Sequence, residues 1–279
     1  MTSADLRILH LSDTHLFSDE SRHYGTVDTL AALERTLVRA GALDALDVVV
    51  ASGDLSDDGG ERSYRRLASR LVPFASERGA EVVYVMGNHD LRAGFEAVLG
   101  ARETVSIRRG FRIVTLDTSV PEAGYGTLET AQLEWLARIL ESPAPNGTVI
   151  ALHHPPVPAE TALLAALELT NPDALLEVCA ASDVRLILCG HYHHALATRA
   201  HGIPIVVAPG VANTSDPVAP AGTERAVVGS GFAVIDLPVE GEPRAVFLTV
   251  PSPDDGTEVF HLDAAEVARI AAASGSGRE

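Results

Sequence analysis

Five short clusters hold most of the residues in this 279-residue chain that could do chemistry together. They are Asp13-Thr14-His15, Gly53-Asp54 with Asp57-Asp58, Gly87-Asn88-His89-Asp90, His153-His154-Pro155, and Gly190-His191-Tyr192-His193-His194. Imidazole suits zinc, iron, manganese and similar ions, and carboxylate suits harder ones. On extended backbone, Asp-x-His and His-x-His turn both side chains to the same side, where two ligands can share one ion. A carboxylate can bridge two cations, and Asp54 is the best placed to do so. A pair of ions about 3.5–4 Å apart stabilises attacking and leaving oxygens together and brings the pKa of a water towards about 7. Gly53, Gly87 and Gly190 each precede a candidate ligand, where glycine permits a sharp turn and close backbone approach.

Each cluster follows an apolar, strand-like run: 7–11, 47–52, 81–86, 148–152 and 184–189. A further strand is expected over 111–116, and helical spacing marks 27–40, 61–78, 128–140 and 172–181. This alternation predicts an α/β protein with a buried sheet. Loops beyond the carboxyl ends of parallel strands line the ligand crevice, so if the five strands are parallel neighbours their clusters face one place. After Ala195 the texture changes: extended pieces at 203–208, 232–237 and 245–250, separated by Gly/Pro-rich turns, suggest a hairpin-rich second sheet. From Pro251 the chain holds one short helix-like run, 264–273, and a loose Ser/Gly end. There is no internal repeat and no clear linker.

Bulk properties narrow the function classes. Hydrophobic residues make up 46% of the chain, which excludes disorder over most of its length. The net charge of −17 argues against a nucleic-acid polymer or anionic lipid as partner. An anionic substrate would need that field neutralised at the site, which bound cations can do. Two cysteines, Cys179 and Cys189, make no disulfide framework, so a reducing, cytoplasmic setting is expected. The opening residues show no secretory pattern, and no apolar run is long enough to suggest a transmembrane segment.

Taken in order from Asp13 to His193, the clusters resemble the calcineurin-like metallophosphoesterase superfamily, whose pattern is D-x-H, G-D-x-x-D, G-N-H-[D/E], a later His, and G-H-x-H. Within it, the spellings Leu-Ser-Asp-Thr-His, Gly-Asp-Leu-Ser-Asp-Asp-Gly, His-His-Pro-Pro-Val-Pro and Gly-His-Tyr-His-His are similar to those of the class III bacterial cyclic-nucleotide phosphodiesterases. That subgroup also includes enzymes acting on glycerophosphodiesters. The resemblance implies a four-layer α/β/β/α sandwich of two mixed sheets flanked by helices, with a metallophosphoesterase domain over 1–250 and a C-terminal extension over 251–279. It implies two divalent or trivalent metal ions, iron and manganese first, zinc or cobalt as alternatives. Asp13, His15 and His193 are then the ligands of one ion, Asn88, His153 and His191 those of the other, and Asp54 the bridge. His153 is preferred over His154 because the family's ligand stands two residues before the proline.

By the same resemblance, His89 faces the phosphate and protonates the leaving oxygen, Asp57 orients it, and Asn88 also meets the substrate. His154 and His194 are expected to face substrate or pack beside the site. The implied activity is in-line hydrolysis of a small phosphodiester, 3′,5′-cyclic AMP first, to a 5′-nucleoside monophosphate. A glycerophosphodiester, a phosphomonoester, or a non-catalytic metal-binding scaffold are the alternatives. Relatives of this kind often dimerise, so a homodimer is admitted, although no motif marks it. Outside these roles, Asp90 is expected as a helix cap, Asp58 as solvent-facing or a helix cap, His10 as a core or sheet-face residue, and His23 and Tyr24 as a surface loop that could contact substrate. Asn213 follows a turn-rich stretch that could border the site, and both cysteines are expected to be buried.

Overall fold

Alternate residues of the early strands face opposite ways, and both ways are apolar. Leu6, Ile8, Val48 and Val50 join one core, while Leu9, Leu11, Val49 and Ala51 join another. A strand with two apolar faces must be covered on both, which is why these runs read as continuous hydrophobics. In the computed structural model, which describes residues 5–274, the strands lie in three sheets. The first has the order β13-β12-β1-β2-β3, with β1 at Leu6–Leu11, β2 at Val48–Ser52, β3 at Glu81–Val85, β12 at Ser230–Leu237 and β13 at Arg244–Val250. The second has the order β4-β5-β6-β7-β9-β8, with β4 at Thr104–Arg108, β5 at Phe111–Thr115, β6 at Thr148–Ala151, β7 at Val184–Cys189, β8 at Leu196–Ala200 and β9 at Ile203–Val207. A small third sheet joins β10 (Thr214–Ser215), β11 (Glu224–Val227) and β14 (Glu258–Leu262).

Among the described residues, seven helices fill the remaining layers: α1 (Thr29–Ala40), α2 (Glu61–Ser76), α3 (Arg92–Leu99), α4 (Thr130–Leu140), α5 (Ala162–Ala166), α6 (Pro172–Ala180) and α7 (Ala264–Ser274). Leu33 and Leu37 of α1, Leu67 and Leu71 of α2, and Phe95 of α3 pack on the outer face of the first sheet. Leu136 of α4, Leu164 of α5 and Leu176 of α6 cover the second. Between the sheets, Ile8, Val48 and Val85 meet Phe111, Val149 and Leu186. The result is the expected α/β/β/α sandwich. No helix of the described residues is long and apolar enough to cross a membrane.

Two expectations about the sheets need correction. The five motif-bearing strands are not neighbours in one sheet. β1, β2 and β3 run parallel in the first, and β6 and β7 run parallel in the second, so the clusters converge from two facing sheets. The late strands do not form a sheet of their own either. β8 and β9 extend the second sheet, β12 and β13 the first, and only β10, β11 and β14 stand apart. Hydrophobic alternation reports which faces are buried, not which neighbour a strand finds. Residues 251–274 pair and pack as well: β14 is antiparallel to β11, and α7 lies against α5. The expected loose end, residues 275–279, lies outside the described residues.

Candidate metal centre

β1 ends at Leu11 and β7 at Cys189, so Asp13, His15, His191 and His193 stand past the strand ends. They are not on extended backbone, and the alternation argument for Asp-x-His and His-x-His fails here. Asp13, His15, Asp54, His191 and His193 all have left-handed φ, between 43° and 70°. They are five of the nine non-glycine residues in that region among the described residues. Such conformations are sparsely populated and persist where surrounding structure holds them. Here the holding is done by main-chain bonds between loops: Asp13 N–H donates to Gly53 O at 3.0 Å, His15 N–H to Asp54 O at 2.9 Å, and Ala212 N–H to Asp13 O at 3.0 Å.

The turns bring seven candidate ligands together. Asp54 Oδ2 lies 3.3 Å from His153 Nε2 and 3.7 Å from His15 Nε2, between two groups of donors. On one side, His193 Nε2 is 3.3 Å from His15 Nε2 and 3.4 Å from Asp13 Oδ1. On the other, His153 and His191 have ring centroids 5.1 Å apart. A β-carbon on Gly53 would lie 2.2 Å from His153 Nδ1, and one on Gly87 would lie 2.2 Å from Asp54 Oδ1. Glycine is the residue that lets these two ligands approach the neighbouring backbone.

Hydrogen bonds fix which ring nitrogens are free. A carbonyl oxygen only accepts, so the ring atom facing it carries the proton. His153 Nδ1 donates to Ser52 O at 2.8 Å, His193 Nδ1 to Asn213 O at 3.3 Å, and His191 Nε2 to Leu167 O at 3.0 Å. Nε2 of His153, Nε2 of His193 and Nδ1 of His191 are left with lone pairs. His15 Nδ1 faces Asp57 Oδ1 at 3.0 Å, so its Nε2 also points a lone pair inward, straight at that of His193. Two such lone pairs at 3.3 Å repel unless a cation lies between them. Asp13 Oδ2, Asn88 Oδ1 and His153 Nε2 are buried with no hydrogen-bond partner. Orphaned buried polar atoms are costly, and a pair of metal ions would satisfy all three. The donor set therefore fits two metal ions, which no protein group here replaces.

Electrostatics point the same way. Burial lowers His15, His191 and His193, which keeps them neutral and ready to ligate. Burial alone would raise Asp54, but His153, His89 and His15 outweigh it and hold the carboxyl well below its usual range. Burial likewise lowers His153, yet Asp54 and Asp13 prevail and push it up to about 9. An imidazole that collects a proton beside two carboxylates occupies a place where positive charge is favoured.

A sequence model of the family described as "Calcineurin-like phosphoesterase" matches residues 6–195. The chain belongs to the calcineurin-like phosphoesterase family. It is 41% identical, over 79% of its length and 72% of the relative's, to a cAMP/cGMP dual specificity phosphodiesterase of Mycobacterium tuberculosis. It is 36% identical to a probable cyclic nucleotide phosphodiesterase of Rhodococcus erythropolis, covering 97% of this chain and 94% of that one. Among solved structures, a dimetal phosphatase of Danio rerio shares the fold with a TM-score of 0.58 at 16% identity, over 88% of this chain and 99% of that one.

Not every residue that the family pattern singles out sits as expected. Asp57 Oδ1 is 3.0 Å from His15 Nδ1 and 3.0 Å from His23 Nδ1, but 3.8 Å from His89 Nδ1. The carboxylate is hydrogen-bonded to a candidate ligand and a neighbouring loop histidine, not to His89. Burial pushes Asp57 up, and the hydrogen bonds to His15 and His23 overcome it, holding the group well below the usual carboxylate range. His154 does not face substrate. Its Nδ1 meets the Thr118 hydroxyl at 2.7 Å and its Nε2 meets Gly124 O at 3.1 Å, so both ring nitrogens are engaged. Burial, then the charge on His153, lowers its pKa to about 3. His194 is also turned away from the pocket: its ring is buried and stacked on Tyr192, with centroids 5.9 Å apart at 18°.

Asp90 is not a helix cap. Leu91 occupies the cap of α3, and Asp90 accepts main-chain N–H bonds from Gly87, Leu55 and Ser56 at 2.9–3.1 Å, tying two ligand loops together. Burial and then Asp54 push it up to about 7. Asp58 caps no helix but is exposed, as the solvent-facing alternative expects; it accepts from Gly60 N–H in its own loop and from Ser18 N–H in the loop after β1.

The family motifs do not cover the whole site. A pocket of about 110 Å³ opens over the donors and is lined by Asn88 and His89. It is also lined by His23, Tyr24, Asn213, Glu224 and Phe260, none of which belongs to a motif. His23 was expected on the surface and is 3% exposed. Its only sequence signal is proximity to the first motif. Glu224 and Phe260 carried none, since they arrive through the third sheet.

Proposed function

We propose that this chain is a dinuclear-metal phosphodiesterase that hydrolyses 3′,5′-cyclic nucleotides, cyclic AMP first, to 5′-nucleoside monophosphates. The observation that carries the reading is the convergence of two donor groups on Asp54 Oδ2, at 3.3 Å from His153 and 3.7 Å from His15. The names of the Mycobacterium and Rhodococcus relatives support the substrate class. Asp13, His15 and His193 hold one ion, Asn88, His153 and His191 the other, and Asp54 both. When bound, the ions supply positive charge for the phosphoryl oxygens and lower the pKa of a water at the site. Iron and manganese are the first expectation, with zinc or cobalt compatible with the same donors.

The chain's own residues do the rest. His89 leaves 41% of its side chain exposed at the pocket and donates a proton to the departing O3′ as the P–O3′ bond breaks. Its main-chain N–H is bound by Asp54 Oδ1 at 2.9 Å, which ties the acid to the bridging carboxylate. In a chain of net charge −17, the site must be locally positive for an anion to enter. The test is turnover of cyclic AMP, glycerophosphocholine, bis-p-nitrophenyl phosphate and p-nitrophenyl phosphate by protein reloaded with manganese. Cyclic AMP should be converted to 5′-AMP, and Asp54→Ala should abolish that conversion. Preference for the monoester, or full activity of Asp54→Ala, overturns the reading.

A further inference from the structure

Glu224 is the one carboxylate lining the pocket that the metal chemistry does not use. It lies on β11 and is 2% exposed, and both of its oxygens are buried with no hydrogen-bond partner. The Thr161 hydroxyl faces it without closing a hydrogen bond. Burial raises its pKa, the nearby Thr161 hydroxyl opposes the rise, and Asp216 adds to it. Nothing in the third sheet requires an acid there. The ion pairs of β11 are made by Arg225, which reaches Asp216 and Glu258. Ala226, the next residue turned inward, is apolar. An acceptor kept buried and unpaired awaits a donor from outside the chain.

The phosphate end of a substrate cannot be that donor, because it is itself anionic and is held by the metal cluster. The donor must come from the other end of the molecule. The same pocket is lined by aromatic and apolar side chains: Tyr24 and Phe260, with ring centroids 4.7 Å apart, and Leu163 and Leu167. Flat aromatic surface with a polar group at its edge is the environment that takes a nucleobase. Two free carboxylate oxygens match two parallel N–H groups, and among the bases this fork is the N1–H and N2–H₂ edge of guanine. Adenine offers only its N6 amine beside an acceptor, which an amide side chain matches better.

We infer that Glu224 is a specificity-determining residue that reads the base of the nucleotide, accepting the N1–H and N2–H₂ edge of guanine and so admitting cyclic GMP as a substrate. This rests on the cyclic-nucleotide reading of the same site.

The experiment compares kcat/KM of manganese-loaded wild type and Glu224→Gln on cyclic GMP, cyclic AMP and bis-p-nitrophenyl phosphate, which has no N–H donor. Glu224→Gln should lower kcat/KM on cyclic GMP about 10–100-fold, chiefly through KM. Cyclic AMP should change less than about threefold, and bis-p-nitrophenyl phosphate less than about twofold. A substrate-side arm needs no variant. Wild type should lose about tenfold on cyclic IMP, which lacks the N2 amine, and should keep its rate on 2′-deoxy cyclic GMP. Equal losses on all substrates make Glu224 structural and overturn the inference, as does indifference to the N2 amine. A penalty that follows the 2′-hydroxyl instead overturns it too, since the carboxylate would then read the sugar. If wild type cleaves bis-p-nitrophenyl phosphate but no cyclic nucleotide, the functional reading fails and this inference with it. If cyclic nucleotides are cleaved with no dependence on Glu224, only this inference fails.

Discussion

Asp57 and His15 are joined through a single oxygen, Oδ1 to Nδ1 at 3.0 Å, and the same oxygen also takes His23 at 3.0 Å. The bond sets the tautomer of His15 and so directs its Nε2 lone pair toward His193. A carboxylate holding the far side of a ligating imidazole raises its basicity and fixes its ring. At 3.8 Å, His89 is outside this arrangement.

Asp57→Asn should therefore act on metal affinity before it acts on acid catalysis. The amide oxygen can still accept from the ring nitrogens, but it carries no charge and so supports the basicity of His15 less. Metal affinity should fall about 10–100-fold, with turnover largely recovered at high manganese. Titration of metal-depleted protein followed by calorimetry reads this directly. An unchanged affinity with a lowered kcat would assign Asp57 to His89 instead.

Gly53→Ala and Gly25→Ala separate crowding from backbone strain. Both glycines have positive φ, +98° and +70°. A new β-carbon at Gly53 meets His153 Nδ1 at 2.2 Å, whereas nothing lies within 4 Å at Gly25. Gly25→Ala should cost about 1 kcal/mol, from strain alone, and keep its activity. Gly53→Ala should cost several times as much or displace His153, and lose metal. Thermal melts with and without manganese distinguish the two. Equal behaviour would mean that the approach of His153 to Gly53 is not a constraint.

The layers and the motif loops were legible in the sequence because two-sided apolar strands and polar loops at their ends have a local signature. Val48–Ser52 and Val184–Cys189 are each mostly apolar before a Gly-led loop, and both are strands within a residue of expectation. What local pattern cannot report is pairing. Five clusters past five strands look the same whether one sheet or two faces them, and only the two facing sheets give donors on both sides of Asp54. β4 and β11 were missed for a similar reason. β4 buries neither face fully, and Glu224, the buried first residue of β11, is charged, so hydrophobic periodicity is silent there. His23 and Asn213 reach the site through turns whose geometry depends on contacts made elsewhere in the chain. The left-handed backbone of Asp13, His15 and His193 was invisible because nothing in those residue types demands it.

His153 and His154 are adjacent, and their ring centroids are 5.0 Å apart, yet they should respond differently to alanine. His153 presents an unpartnered Nε2 to Asp54, whereas His154 spends both nitrogens on Thr118 and Gly124. His153→Ala should lose one of two metal equivalents and nearly all activity. His154→Ala leaves the Gly124 carbonyl and Thr118 hydroxyl unpaired, so it should cost about 1–3 kcal/mol of stability per lost buried partner while retaining metal. Elemental analysis of the purified variants decides. Loss of metal from His154→Ala in folded protein would make it a ligand.

His10, which is not itself a candidate metal ligand, makes stability depend on pH. It is fully buried between the sheets, hydrogen-bonded to Ser52 Oγ at 2.8 Å, and burial lowers its pKa from 6.5 to about 3. Between those values the unfolded chain binds a proton that the folded chain does not. Stability from this group is therefore complete above pH 6.5 and is lost as pH falls through the window toward 3. At about 1.36 kcal/mol per pH unit, the loss from pH 6.5 to pH 4 is roughly 3 kcal/mol. His10→Gln removes the titration but keeps a polar side chain for Ser52. The stability advantage of wild type over His10→Gln, measured by urea unfolding of chelator-treated protein, should shrink by about 3 kcal/mol from pH 7 to pH 4. Taking the difference between the two proteins cancels the carboxylates they share. A difference that stays constant across that range would mean that His10 is already protonated in the fold or remains neutral in both states, and neither is compatible with a histidine desolvated between two sheets.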